Sequence, residues 1–325
     1  MNARQLPLKY PMINSSMDSS HLLSVVGLSQ NNTHWLNNQY SQIYCGYGSD
    51  VLDIDFLSPE YPRGQFPHLL IQEADTDPDV AVEQIIKSIQ ENMYVELSID
   101  EFFIEGKHYY NKAHFNRHFL IYGYDLQNNS ISLAGPDYNK IFNHHSLSFT
   151  QLINSLRYHL SHKQSIRFIC LDDRFEVGFD LLALIKDLHD YLNSNHMKRS
   201  LEPYVKEDTL VWGIGVYTQL KIYLDKLSQG EIFYCIRPFH LLWEHKKCML
   251  NRIKYLIQLG YSIPESVRVG YEDLYETALI LRNILVKYHL SNDGNLIRIA
   301  SNLLEKVASE EQILLSRLLL ELEQR

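Results

Sequence analysis

His118 opens an apolar run, Phe119 to Tyr124, that closes on Asp125. After the polar stretch Gln127-Asn128-Asn129-Ser130 the apolar pattern resumes at Ile131 and ends in Ala134-Gly135-Pro136-Asp137. Two apolar runs joined by turn formers predict a β-hairpin. Antiparallel pairing across so short a connection brings His118 to the exit of the second strand, around Gly135-Pro136-Asp137. There a histidine base and a carboxylate that orients it would meet, two of the three roles of a nucleophilic triad. The same residues equally suit a partly buried histidine at the end of a hairpin in some other α+β domain.

Other residues invite chemistry less specifically. Cys45, in Ile43-Tyr44-Cys45-Gly46, is the one thiol in the first half of the chain, and a free cysteine is commonly a small buried hydrophobe. The tract His108 to Arg117 is dense in histidine and tyrosine and suits a metal, an aromatic substrate or simply an exposed loop. Carboxylates are not spaced to complete a metal site there or at His144-His145, which reads as a similar loop. No metal and no cofactor is called for.

Around these residues the periodicity predicts the elements that would position them. Asn14 to Ser20 is a cluster of capping residues directly before His21-Leu22-Leu23-Ser24-Val25-Val26, the signature of a buried helix that ends near Gly27. Thr33 to Ile43 spaces Trp35, Leu36, Tyr40 and Ile43 along roughly one helical face. Val51 to Phe56 alternates as a half-buried strand, Asp75-Thr76-Asp77-Pro78-Asp79 reads as an acidic helix start with Val80, Ile85, Ile86 and Ile89 forming an apolar face, and Met93 to Ile99 is a strand preceding the hairpin. A helix from Leu152 and a strand over Ser165 to Leu171 end this part. Beyond Asp172 the chain reads as helices only: Phe179 to Leu192, Leu210 to Leu227, Phe239 to Leu259, a further one through Tyr271 to Tyr288, and a Leu-rich last one over Leu296 to Leu322.

Composition limits the function classes. With 325 residues, 45% of them hydrophobic, the chain can bury two cores. A net charge of -9 with no concentrated basic face argues against a nucleic-acid partner. No apolar h-region begins the sequence and no run approaches the ~20 residues of a membrane span, so neither export nor a membrane partner is expected and the cytoplasm is the expected location. The four cysteines lack the spacing of a zinc site or a disulfide framework. Apolar helices in the second half suit a homodimer face.

The order helix, strand, then "His, hydrophobic run, Gly-Tyr-Asp" and a second strand resembles papain-like cysteine peptidases and acyltransferases. It is most similar to the butirosin biosynthesis protein H N-terminal family, papain-like acyltransferases of natural-product pathways. The resemblance implies an α+β papain-like domain over residues 1–172 followed by an all-α bundle of five or six helices over residues 173–325. It implies a nucleophile at the start of the first helix, where Ser16, or Ser15, Ser19 or Ser20, stands in place of the family cysteine. His118 would be base and then acid, and Asp137 the orienter. Implied partners are an acyl or peptidyl carrier protein or a synthetase, with a small-molecule amine or water as acyl acceptor. Two departures stand against catalysis: the thiol is absent, and Gly135-Pro136 occupies the place of the family Asp-Pro, with Asp137 displaced by two residues. A catalytically degenerate binding module is therefore the competing function, and a cysteine peptidase using Cys45 the third.

Overall fold

The computed structural model describes residues 2–15, 17–47, 52–57, 66–137, 142–158, 164–174, 176–195 and 210–324, without the side chains of 17–19, 47 and 164. It is a mixed α and β protein with a sheet and a C-terminal helical region. The chain divides into two compact units, residues 1–32 with 66–176, and residues 33–65 with 177–325. The division at 176 lies close to the expected boundary at 172. The segment 33–65, assigned from sequence to the first domain, belongs instead to the helical unit.

The first unit is built on a seven-stranded antiparallel sheet. Its strands are β1 (Ala3–Gln5), β4 (Leu69–Thr76), β5 (Tyr94–Asp100), β6 (Asn116–Asp125), β7 (Ser130–Pro136), β8 (Phe142–Ser148) and β9 (Gln164–Leu171). They run in the order β4-β9-β5-β6-β7-β8, with β1 pairing the far end of β6. The expected hairpin is β6 and β7, turned through Leu126 to Asn129, where Asn129 takes the left-handed φ of 48° that asparagine tolerates. The register slips once, between Ile121 and Gly123. This bulge lets the long strand β6 bend.

Three helices cover the sheet: α1 (Met17–Val26), α3 (Pro78–Gln90) and α4 (Phe149–Tyr158). Helix α3 starts where Asp77 caps it, its side chain accepting from the Asp79 N–H at 2.9 Å with Pro78 at the first helical position. Strand alternation sorts the central sheet into two faces. Val95, Leu97 and Ile99 with Phe119 and Ile121 form a wholly buried apolar face, the one α3 and α4 cover. Glu96, Ser98, His118 and Leu120 point to the other face, where α1 rests against β6 and β7. His144 and His145 lie in β8 and not in a loop, Phe142 and Leu147 being buried, His144 exposed and His145 half-buried.

In the second unit, α2 (Thr33–Asn38) stops short of the helix expected through Ile43, since Tyr40 adopts a φ of 60° and Ile43 begins a strand. That strand, β2 (Ile43–Tyr47), sits between β3 (Leu52–Phe56) and the two-residue β10 (Val211–Trp212). The expected helix from Leu210 thus opens as a strand and a 3-10 turn before α6 (Val216–Gln229), the glycines at 213 and 215 breaking it. With α5 (Leu181–Leu192), α7 (Arg237–Gln258), α8 (Glu265–Ser291) and α9 (Gly294–Glu323) it forms the bundle, ordered as the periodicity predicts. Buried Arg252 ties the 33–40 segment to α7, donating to the Asn37 carbonyl at 2.8 Å and the Gln39 carbonyl at 2.5 Å. Arg237 pairs with Asp53 and Asp55 of β3.

Candidate functional site

The start of α1 is anchored to the sheet. The Asn14 carbonyl accepts from the Phe142 N–H at 3.3 Å, and Phe142 pairs with Pro136 across β8 and β7. Leu120 pairs with Ala134, so extending that register two residues puts Pro136 beside His118. Helix start and histidine strand therefore approach each other at one end of the sheet, and His118 is exposed there. Ser16 lies outside the described residues, as does the Ser19 side chain. Ser15 and Ser20 are buried at 1% and 2% exposure.

Strand β7 ends at Pro136, which the register places beside His118, and Asp137 follows it outside the strand. Alternation puts His118 on the side of Leu120 and Ala134, while Gly135 turns towards Phe119, whose Cδ1 would be 2.4 Å from an added Cβ. Two residues on, the Asp137 charge acts on Lys107 and His145, both of which adjoin the Phe119 ring. The hairpin was legible in the sequence, but its bulge and its alternation govern which side chains meet, and the pairing of His118 with Asp137 does not follow from it.

Among the described residues, the carboxylate on the His118 side is Glu96. Its Oε1 is 2.9 Å from Nδ1 of His21 on α1, and its Oε2 takes Arg167 Nε at 2.5 Å. Burial alone would raise the Glu96 carboxyl, but the hydrogen bond and charge of His21, then the charges of Arg167 and His118, hold it down at about 2. Glu96 is thus ionised and already engaged at both oxygens. Neither His21 nor Glu96 stood out in the sequence. The available signal was a glutamate at an inward position of the strand Met93 to Ile99, which must be paired to be buried.

On the opposite face, at the same end of the sheet, Lys107 is buried with its Nζ 2.7 Å from the Pro136 carbonyl oxygen and 2.9 Å from Nε2 of His145. Burial pulls the Lys107 ammonium down to about 8 against the opposing pull of Glu101 and Asp137. Burial first and then the Lys107 charge lower His145 to about 4. Glu101 in turn pairs with Arg117 at 2.6 Å.

Within the tract that suited a metal or a loop, His114 binds buried Asp100 through Nδ1 at 2.6 Å and stacks on Tyr158 with ring centres 3.5 Å apart. Cys45 belongs to β2 of the second unit, fully buried, and burial pushes its thiol up to about 12.

No protein-family model matches this chain, and no curated protein resembles it in sequence.

Proposed function

We propose that the first unit is a papain-like relative of the natural-product acyltransferases that has lost its triad and serves as a binding module for an acyl or peptidyl carrier protein, or for the acyl group it carries. The observation that carries this reading is the commitment of Glu96 to His21 and Arg167. Among the described residues, the carboxylate on the His118 face, Glu96, is thus not free to fix the His118 tautomer and stabilise an imidazolium. An exposed imidazole beside a helix start remains able to hydrogen-bond a thioester carbonyl or an amide.

A second reading, acyl transfer from a carrier-protein thioester to an amine or water with Ser16 as nucleophile and His118 as base, draws on the approach of the α1 start to the His118 end of the sheet. A hydroxyl is weakly acidic and depends on a well-oriented base, so the engaged Glu96 weighs against this reading. Peptidase chemistry through Cys45 requires a thiolate, and a buried thiol raised to about 12 stays protonated at neutral pH.

Titrating the full chain with acetyl-pantetheine, followed by calorimetry, tests the binding reading. Saturable binding is expected, weakened severalfold by His118→Ala, the effect of one hydrogen bond of about 1 kcal/mol. Absence of saturable binding, or binding indifferent to His118, would count against it.

A further inference from the structure

The Lys107 cluster belongs to neither reading of the His118 site, since it lies on the Phe119 side of the sheet, away from His118. We propose that Lys107 is a carbonyl-capturing amine, forming a Schiff base with a small uncharged aldehyde, and that His145 carries the proton this requires.

The geometry is that of a nucleophile with an adjacent proton acceptor. Nζ of Lys107 stands 2.9 Å from Nε2 of His145 and 2.7 Å from the Pro136 carbonyl oxygen, 4.8 Å from the centre of the Phe119 ring. A lysine that is desolvated and placed near another cation is the arrangement in which an amine becomes nucleophilic at neutral pH. Lys107 has both features. It is 8% exposed, and the Arg117 charge assists burial in depressing its ammonium to about 8. Among the described residues, the charged and titratable groups acting on it are Glu101, Asp137, Arg117 and His145.

His145 can take either tautomer in place. With a lone pair on Nε2 it accepts from Lys107, and with a proton there it donates to the Gly135 carbonyl at 3.3 Å. The steps balance accordingly. The Nζ lone pair attacks the carbonyl carbon and forms the C–N bond, giving an ammonium and an alkoxide. His145 takes a proton from nitrogen and returns it to oxygen, giving the neutral carbinolamine, and the remaining N–H proton, passed through His145 to the hydroxyl, leaves with it as water to give the neutral imine. No oxidant or reductant is consumed. The carbonyl compound must be small because the amine is nearly enclosed. It should be uncharged because the carboxylates of Glu101 and Asp137 face the amine and disfavour an anionic keto acid.

The test is competitive trapping in the folded full-length chain. The protein is incubated at pH 7 with limiting acetaldehyde and cyanoborohydride, and ethylation of each lysine is followed by peptide mass spectrometry. Lys186, whose side chain is 72% exposed, is the internal reference. Lys107 should be ethylated roughly tenfold faster or more, because its lower pKa raises the neutral fraction at pH 7 by more than it costs in nucleophilicity. Replacing acetaldehyde by glyoxylate should remove the preference. His145→Gln should slow Lys107 severalfold while leaving Lys186 unchanged. Ethylation of Lys107 no faster than Lys186 in the unaltered protein would overturn the proposal without recourse to any variant. An unchanged Lys107 rate in a folded His145→Gln protein would overturn the role given to His145.

Discussion

His21 and Glu96 meet at 2.9 Å beneath α1, each side chain only 1% exposed, and the same carboxylate holds Arg167 from the neighbouring strand. The contact joins the first helix to the centre of the sheet by a buried hydrogen bond, beside the apolar packing of Leu22, Leu23, Val25 and Val26. Removing one member leaves the others buried without compensation, which costs about 3–5 kcal/mol. Glu96→Gln should therefore lower stability at pH 7 by about that amount in urea denaturation. The pH dependence has a definite sign. The folded-state pKa is about 2, below the ordinary value of 4.5, so the contribution is complete above about pH 4.5 and is lost as pH falls towards 2. The unaltered protein should lose stability through that window and Glu96→Gln should lose distinctly less. Parallel pH profiles would remove Glu96 from this role.

In the bundle, Lys246 and Glu311 form an ion pair at 0% exposure, and Glu311 also accepts from Tyr217 at 2.6 Å and Tyr191 at 3.0 Å. Lys246→Met strands the Glu311 carboxylate and should destabilise by about 3–5 kcal/mol. Adding Glu311→Leu should cost much less than the sum of the two single changes, because the desolvation cost of both charges disappears with them. Additive single and double changes in a denaturation cycle would show that the pair is not coupled.

Gly135 faces Phe119 so closely that a Cβ would lie 2.4 Å from Cδ1 and 2.8 Å from Cε1 of the ring. Gly135→Ala should cost about 1–3 kcal/mol by overpacking. The substitution should be better tolerated in a Phe119→Leu background, where the ring is gone. Equal cost in both backgrounds, measured by thermal melts, would locate the strain elsewhere.

These three relationships show where the sequence was readable and where it was not. Local patterns placed the hairpin of His118, the strand at Met93, a helix start within Asp75 to Asp79 and each long helix after Phe179, because each depends on neighbours in the chain, although Val80, read on the apolar face of that helix, is exposed. The strand β8 was hidden by His144 and His145, whose polarity suggests a loop but of which the first sits at an open position of an edge strand and the second turns inward to Lys107. The residues 33–65 joined the helical unit through Arg252 and Arg237, contacts that span 213, 215, 182 and 184 positions and have no local signature. The candidate site was half legible for the same reason. His118 and the helix before it follow from local pattern, whereas the engagement of Glu96 and the place of Asp137 depend on register, bulge and pairing.

Whether the first unit binds without doing chemistry is tested most directly by exposing the full chain to the acetyl thioester of N-acetylcysteamine and mapping covalent acetyl groups by peptide mass spectrometry. The binding reading predicts no acetyl group on the peptide carrying residues 15–20 and no thiol release beyond that of the His118→Ala protein. Any acetylation of Lys107 maps to a different peptide and bears only on that amine. Stoichiometric acetylation within residues 15–20 that disappears in both Ser16→Ala and His118→Ala would contradict the binding reading and establish nucleophilic acyl transfer, since nucleophile and base fail together when they act as one unit.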